Sequence, residues 1–284
     1  MKKIFGVVGY PINHTLSPAI HNYLFGQFKM EAVYLAFEVP PAQYEHFFKG
    51  MACINNLVGL NVTVPFKNEA AQYTDRIIFK KKDVFGAVPV NTVHFKNKIS
   101  FGFNTDIYGF YMGLLKSCPS FRPKRKIALL IGAGGAAKGV GISLVSAGIK
   151  CLVIANRTYK KAVDLKSFLE KISRLTEIKA IPLSGDILSS QGPFDLIINS
   201  TSHGLKKERS LINFNVRGIR SGIAYDLIYK PKTDFLIQAE KNGWETVNGL
   251  DMLIFQAFKA FQIWTGKNPI KYYTDIKKIL LKMM

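Results

Sequence analysis

Apolar residues fall in short runs along the chain, and the period of the runs changes from segment to segment. KIFGVVG is continuous enough for a strand. Behind Ser17 and Pro18, a pair suited to an N-cap and a first helical residue, Ile20, Leu24 and Phe28 repeat at helical spacing. Val33, Leu35, Phe37 and Val39 alternate in AVYLAFEV, which predicts a half-buried strand with those four turned inward. Tyr44, Phe47, Phe48 and Met51 share one face of a helix. In the next strand Val58, Leu60, Val62 and Val64 alternate with Gly59, Asn61, Thr63 and Pro65. The first set is expected to bury, and the second to turn an amide and a hydroxyl the other way, with Lys67 just beyond. A helix from about Asn68 follows, and VNTVHFKNKISFGF reads as a hairpin turning near Asn97. Strand–helix alternation with an added hairpin means a mixed α/β sheet.

The middle of the chain has a different rhythm. After a polar lead-in, RPKRK, five apolar residues run into a glycine turn and then a helix: IALLIGAGGAAKGVGISLVSAGI. The runs CLVIA, IKAIP, DLIIN, GIAYDLIY and WETVN add five further strands. Six strands at this spacing have the period of a doubly wound nucleotide-binding domain. The end returns to helices. MLIFQAFKAFQIW is apolar nearly all round, and Ile276, Ile279, Leu280 and Met283 line one face of the last helix. With no strand after Val247, the tail is expected to pack back on the first domain. The fold class expected is therefore α/β in two domains. Residues 1–105 plus 250–284 form a mixed α/β substrate domain completed by C-terminal helices, and residues 106–249 a doubly wound Rossmann-like domain.

Composition narrows the class. The chain has 284 residues, 48% of them hydrophobic, ample for two cores. Pro11 and Asn13 end the N-terminal apolar run too early for a signal peptide, and no segment is long and apolar enough for a membrane span. Cys53, Cys118 and Cys151 are far apart and form no CxxC pair, so neither a disulfide framework nor a zinc site is expected, and a cytoplasmic setting is. No histidine has metal-ligand spacing. The net charge of +20, from 39 basic and 19 acidic residues, raises nucleic-acid binding as a reading. The basic residues are dispersed, however, and the densest clusters, Lys80-Lys81-Lys82 and Arg122 to Lys126, adjoin no known motif. A small anionic ligand is the expected partner rather than nucleic acid or a membrane, and the protein is expected as a monomer or homodimer.

Two groups of residues carry chemistry. Gly132, Gly134 and Ala137 fit G-x-G-x-x-[G/A] between a strand and a helix, where glycines let backbone N–H groups and a helix N-terminus approach a pyrophosphate. The next strand ends in Asn156, Arg157 and Thr158, with Lys160 and Lys161 beyond. A carboxylate there would hold a ribose 2′-hydroxyl; a guanidinium binds a 2′-phosphate instead, so NADP is favoured over NAD. In the first domain, Thr15, Ser17, Asn61, Thr63, Lys67, Asn91, Asn104, Thr105 and Asp106 are short polar groups near strand ends. Together they describe a polar cleft for a small ligand rich in hydroxyls, with a lysine and an aspartate fit for proton transfer.

The motifs GYPINHTLSPAIHN, NVTVPFK, GAVPVNT, NTD, GAGGAA, NRT, INSTSHG, YDLIYKPKTDFL and GLDMLIFQAF occur in the order found in the shikimate dehydrogenase family, which the chain resembles over nearly its whole length. The resemblance implies NADPH-dependent reduction of 3-dehydroshikimate to shikimate in aromatic amino-acid biosynthesis, or a quinate/shikimate dehydrogenase with relaxed substrate and cofactor choice. Carried over by position, Thr15, Ser17 and Tyr229 would bind the substrate carboxylate. Asn61, Thr63, Asn91 and Gln256 would line the ring pocket, and Lys67 and Asp106 would be the catalytic pair. Gly132, Gly134, Gly135, Ala136, Asn156, Arg157, Thr158, Lys161, Thr201, Leu227 and Gly249 would hold the cofactor, with Gly249 near the nicotinamide. The chain departs from the family at three places. Thr15 replaces a serine, keeping the hydroxyl and adding a methyl group beside the substrate carboxylate; a changed ring placement is expected, and quinate stays open as a substrate. Ile107 follows Asp106 where the family usually has a glycine, so a different hinge is expected. Asp251 stands where a glycine is frequent, near the expected nicotinamide pocket.

Overall fold

A computed structural model describes residues 1–79, 88–215 and 222–284. These divide into two compact units, Met1–Gly109 with Ile254–Met284, and Phe110–Leu253. The Lys80-Lys81-Lys82 cluster and the first two residues of GAVPVNT lie outside the described residues.

The first unit contains β1 (Lys3–Gly9), α1 (Ser17–Gln27), β2 (Ala32–Glu38), α2 (Tyr44–Ala52), β3 (Leu57–Val62), α3 (Lys67–Tyr73), β4 (Arg76–Ile77), β5 (Thr92–Lys96) and β6 (Ile99–Phe103). Its sheet has the order β2-β1-β3-β5-β6-β4. β1 pairs in parallel with β2 and β3, while β5 is antiparallel to both β3 and β6. Asn97 and Lys98 turn the β5–β6 hairpin with φ of 52° and 61°, the left-handed pair that a tight hairpin with the strands' own twist demands. β3 is central and covered on both sides. Tyr44, Phe48, Phe66 and Ala70 pack with Leu60 and Val62 on one face. On the other, a Cβ added to Gly59 would run into the indole of Trp264, whose Nε1 donates to the Val93 carbonyl at 2.9 Å. Trp264 belongs to α9 (Leu250–Thr265); α10 (Tyr273–Met283) follows it and lies against α1, where Tyr23 bonds Asp275.

The packing corrects three expectations. In β2 Tyr34 is buried, at 1% exposure, while of the four residues expected inward Val39 is buried, Val33 and Phe37 are half-buried and Leu35 is 42% exposed on this edge strand. Val64 is 65% exposed, because the strand ends at Val62 and the chain turns at Thr63–Phe66. Ser17 is the first residue of α1 and not its cap; Leu16 holds that position without a side-chain hydrogen bond.

The second unit contains most of α4 (Asp106–Ser117), then β7 (Ile127–Ile131), α5 (Gly135–Ser146), β8 (Cys151–Asn156), α6 (Tyr159–Ile172), β9 (Glu177–Pro182), α7 (Ile187–Gln191), β10 (Leu196–Asn199), β11 (Ile223–Asp226), α8 (Asp234–Lys241) and β12 (Glu245–Val247). All six strands are parallel, in the order β12-β11-β10-β7-β8-β9. Strand order therefore reverses at β7, the switch point at which such sheets bind ligands beyond their carboxyl ends. Ile107 is helical in α4 and is not among the described residues with positive φ, so its β-branch meets no backbone conflict. Asp251 is buried in the first turn of α9 and accepts from Ser117 Oγ at 3.0 Å.

Candidate functional site

In the first unit, the turn after β3 sets Lys67 at the start of α3. Phe66 is fully buried beneath it, Phe66 N donates to the Thr63 carbonyl, and Val90 N donates to the carbonyl of Lys67 at 2.9 Å. The anchor leaves the lysine side chain directed at α4. Its Nζ lies 2.6 Å from Asp106 Oδ2, with the two side chains 13% and 7% exposed. A pair so withdrawn from water is held by further hydrogen bonds. Asn91 supplies one: its Nδ2 donates to Asp106 Oδ1 at 2.8 Å and to Thr105 Oγ1 at 3.0 Å, while its Oδ1 accepts from Thr105 N at 2.7 Å. Because the Thr105 N–H can only donate, the orientation of the Asn91 amide follows from the chemistry.

Asn61 extends the network. Its Nδ2 donates to the Asn91 carbonyl at 3.1 Å and to Thr92 Oγ1 at 2.9 Å, and its Oδ1 accepts from the Tyr34 phenol at 2.6 Å. Thr92 lies within 3.2 Å of Asn91 Oδ1 and 3.1 Å of Thr105 Oγ1. Thr105 in turn reaches Gln256 Oε1 at 3.4 Å. Asn104 holds the turn into α4, donating to the Pro89 carbonyl at 2.7 Å. Thr15 Oγ1 accepts from Ser17 N at 3.4 Å, and the Ser17 hydroxyl approaches the Tyr34 phenol. Thr63 is half-buried at the turn, with its N–H on the Val8 carbonyl. Lys67, Asp106, Asn91, Asn61 and Gln256 are thus joined by hydrogen bonds. The sequence reading missed Tyr34 and Thr92. The signal for both was available: a tyrosine on the other face of β2, and a threonine adjoining Asn91.

In the second unit, the carboxyl ends of the strands carry the other motifs. Gly132 has φ +107°, and a Cβ there would meet Ser200 Oγ at 2.6 Å, so a turn this tight accepts only glycine. Gly134, at the N-cap of α5, has nothing within 4 Å of an added Cβ, and no side chain caps the helix. Gly135 and Ala136 open the helix, and a helix N-terminus without a side-chain cap fits a pyrophosphate. At the end of β8, Asn156 Nδ2 donates to the Thr158 carbonyl at 2.9 Å; Arg157 and Lys161 are exposed and enter no ion pair among the described residues. Thr201 Oγ1 donates to Asn199 Oδ1 at 2.7 Å, and Asn199 Nδ2 reaches Asp226 Oδ1 at 3.1 Å. Asp226 also accepts from Thr233 Oγ1 at 2.6 Å and Ile228 N at 3.0 Å; burial still pushes its carboxyl up to about 6. This carboxylate, absent from the expected site residues, ties the ends of β10 and β11 to the loop bearing Tyr229. Tyr229 is half-buried, and burial raises its phenol. Gly249 packs so closely on the Leu227 carbonyl that a Cβ would overlap it. In the basic cluster, Lys126 pairs with Asp195 at 2.9 Å, and Arg122 donates to the Pro119 and Phe121 carbonyls.

Three family models match along the chain. Residues 7–93 match the shikimate dehydrogenase substrate binding domain, 116–210 the shikimate / quinate 5-dehydrogenase family, and 249–269 the shikimate 5'-dehydrogenase C-terminal domain. The chain is 38% identical to the shikimate dehydrogenase (NADP(+)) of Caldanaerobacter subterraneus, over 93% of this chain and 92% of that one. A crystal structure of shikimate 5-dehydrogenase from Listeria monocytogenes, in complex with shikimate and NAD, superposes with a TM-score of 0.84 at 30% identity, covering 98% of this chain and 96% of that one. The Thermus thermophilus enzyme in complex with NADP(H) and shikimate gives 0.80 at 31% identity over 94% and 95%. Identity of this order over almost the whole of both chains establishes that the chain belongs to the shikimate dehydrogenase family.

Proposed function

We propose that this protein catalyses the reversible NADP-dependent interconversion of 3-dehydroshikimate and shikimate. The observation that carries the reading is the buried Lys67–Asp106 pair, bridged by Asn91, within the unit that matches the substrate binding domain. On this reading the unit of Met1–Gly109 and Ile254–Met284 binds the substrate, and Phe110–Leu253 binds the cofactor.

The glycine turn at Gly132, Gly134, Gly135 and Ala136 would hold the cofactor pyrophosphate. Arg157, with Asn156, Thr158 and Lys161, would hold the adenosine 2′-phosphate, for which the end of β8 offers a free guanidinium and no carboxylate. Thr201, Leu227 and Gly249 would complete that site. When bound, NADPH supplies a hydride to the C3 carbonyl carbon of the substrate. The protein's part is binding and proton management. Thr15, Ser17 and Tyr229 bind the substrate carboxylate, and Asn61, Thr63, Asn91 and Gln256 line the ring. Lys67 Nζ faces the reacting oxygen and stabilises the charge that develops there as the carbonyl becomes an alcohol. Asp106 holds the lysine, and the pair provides the proton the oxygen takes up; in the reverse direction it receives one. Asn91 fixes Asp106 in turn, so a group that never meets the reacting carbon sets the position of one that does.

The setting inferred is cytoplasmic: all three cysteines are free, and no helix among the described residues is long and apolar enough to cross a membrane. The test is turnover followed by the near-ultraviolet absorbance of reduced nicotinamide, with shikimate or quinate, each paired with NADP or NAD, beside a Lys67→Ala control. Turnover confined to shikimate with NADP and lost in the control is expected. Comparable turnover with quinate or with NAD would move the protein to the quinate/shikimate dehydrogenases of relaxed choice, and folded protein without turnover would overturn the reading.

A further inference from the structure

The hydrogen bonds around Asn61 set how the site reads its substrate. A side-chain amide has two N–H donors and an oxygen with two lone pairs. Both N–H groups of Asn61 are spent, one on the Asn91 carbonyl at 3.1 Å and one on Thr92 Oγ1 at 2.9 Å. A backbone carbonyl can only accept, so the nitrogen must face it and Oδ1 must face Tyr34. The phenol then donates to Oδ1 at 2.6 Å, which leaves that oxygen one lone pair. Both N–H groups of Asn91 are likewise spent, on Thr105 Oγ1 and Asp106 Oδ1.

Tyr34 is held for this task. Its ring stacks on His21 with centroids 4.3 Å apart and planes 9° from parallel, and His21 is itself fully buried among Phe25, Phe261 and Trp264. Neither ring nitrogen of His21 has a hydrogen-bond partner among the described residues, and burial lowers its pKa to about 3. The imidazole is therefore a neutral flat surface. Burial also raises the Tyr34 phenol well above its usual range, so it keeps its proton and remains a donor.

We propose that Tyr34 is a positioning residue: it holds Asn61, whose N–H groups are already spent on the Asn91 carbonyl and Thr92, with its Oδ1 set to accept a hydrogen bond from a ring hydroxyl of the substrate. The inference rests on the reading that Asn61 lines the substrate pocket. It assigns a polarity to the site: Asn61 Oδ1 and the Asp106 carboxylate accept from hydroxyls, and donation to the reacting oxygen is left to Lys67, whose ammonium keeps protons beyond the one given to Asp106. A polyol ring whose hydroxyls donate on one side and whose carbonyl accepts on the other matches that pattern.

The test is steady-state kinetics of Tyr34→Phe, Asn61→Ala and the double variant, with melting curves for each. Tyr34→Phe keeps the stacked ring and removes only the O–H. Its expected effect is a rise in KM for shikimate of roughly fivefold to thirtyfold with kcat little changed, the loss from freeing one buried hydrogen-bonded group. Because the Ser17 hydroxyl also approaches the Tyr34 phenol, the cycle is run in a Ser17→Ala background, where Tyr34→Phe should add nothing to KM once Asn61 is alanine, since Tyr34 then acts only through Asn61. A rise in KM for Asn61→Ala with none for Tyr34→Phe would overturn the role of Tyr34 and leave the pocket reading standing. An additive effect in the double variant would overturn it too. An unchanged KM in Asn61→Ala would overturn the pocket reading itself. Shikimate analogues with single ring hydroxyls replaced by hydrogen or by fluorine test the polarity on the unaltered enzyme. At the hydroxyl that Asn61 reads, both replacements should lose kcat/KM equally, because fluorine cannot donate. Retention by the fluorinated analogue alone would show a donor at that position and refute the assignment.

Discussion

Replacing Asn91 with aspartate tests the centre of the catalytic network with a nearly isosteric change. The side chain is 3% exposed, and its Nδ2 lies 2.8 Å from Asp106 Oδ1. Asn91→Asp therefore sets a second carboxyl against a carboxylate. Two charges at about 3 Å repel by about 5 kcal/mol at an effective dielectric constant near 20. Protonating the introduced carboxyl at neutral pH instead needs about 4 kcal/mol, so the folded variant holds the proton. The sign follows from linkage. The introduced group's folded pKa is raised above its unfolded value of about 3.9, so folded protein binds more protons than unfolded, and stability falls as pH rises above about 4. Relative to the parent protein at the same pH, the variant should lose up to about 2.7 kcal/mol more at pH near 7 than at pH near 5, two units at about 1.36 kcal/mol each. The ammonium of Lys67 also attracts the new carboxyl and reduces that difference, giving an expected window of about 1–3 kcal/mol. Urea unfolding of both proteins at the two pH values measures it directly. A stability difference that does not change with pH would mean that the amide nitrogen does not face Asp106, and the proposed bridge between Asn91 and the catalytic pair would fall.

Gly134→Ala separates cofactor approach from stability: open space surrounds the position, so the melting temperature should hold while the Kd for NADP rises at least about tenfold. Unchanged binding, read by fluorescence titration, would remove the glycine turn from the cofactor site. Gly59→Ala should do the reverse in kind, lowering stability by about 2–4 kcal/mol, because the new methyl displaces Trp264 and breaks its bond to Val93. An unaltered unfolding midpoint would contradict the packing of α9 on β3. For Asp226, a carboxyl raised by burial to about 6 favours the folded state below the unfolded pKa of about 4. That contribution is lost as pH rises to about 6, an expected loss of about 3 kcal/mol. Asp226→Asn should flatten that part of the pH–stability curve, and a curve of unchanged slope would assign the pH dependence elsewhere.

Much of the architecture is written in local pattern. The β5–β6 hairpin needs two successive left-handed residues, and the polar Asn97-Lys98 step between alternating apolar runs advertises them. The glycine turn is equally local, because a strand, a φ of +107° at Gly132 and a helix start follow one another in the chain. Which face of a strand is covered is not local. Period-2 alternation in β2 identifies two faces and says nothing of which one α1 will meet. The apolar set Val33, Leu35, Phe37 and Val39 looked like the inward one. The edge position of β2 leaves Leu35 in solvent and buries Tyr34 against His21. Val64 followed the same alternation one step too far, since β3 ends at Val62 and the chain turns over Thr63–Phe66.

The same distinction explains what could be read of the site. Asn61, Lys67, Asn91 and Asp106 are recognisable as a group because short polar residues at strand ends are exceptional in an apolar run, and each belongs to a compact motif. Their polarity is not recognisable that way. Whether an asparagine donates or accepts depends on what consumes its N–H groups, and here the consumers are Thr92 and a backbone carbonyl of a neighbouring strand. Tyr34, which holds the Asn61 oxygen, stands 27 residues away on a strand that does not adjoin β3. β1 lies between them, so only the closed sheet, with α1 laid across it, brings phenol and amide together. A site's residue types can thus be read from motifs, but its donor and acceptor pattern is a property of the assembled network. For a substrate that differs from its rivals chiefly in the placement of hydroxyls, the second property governs selectivity, because an unmatched buried donor or acceptor is penalised far more than a missing apolar contact.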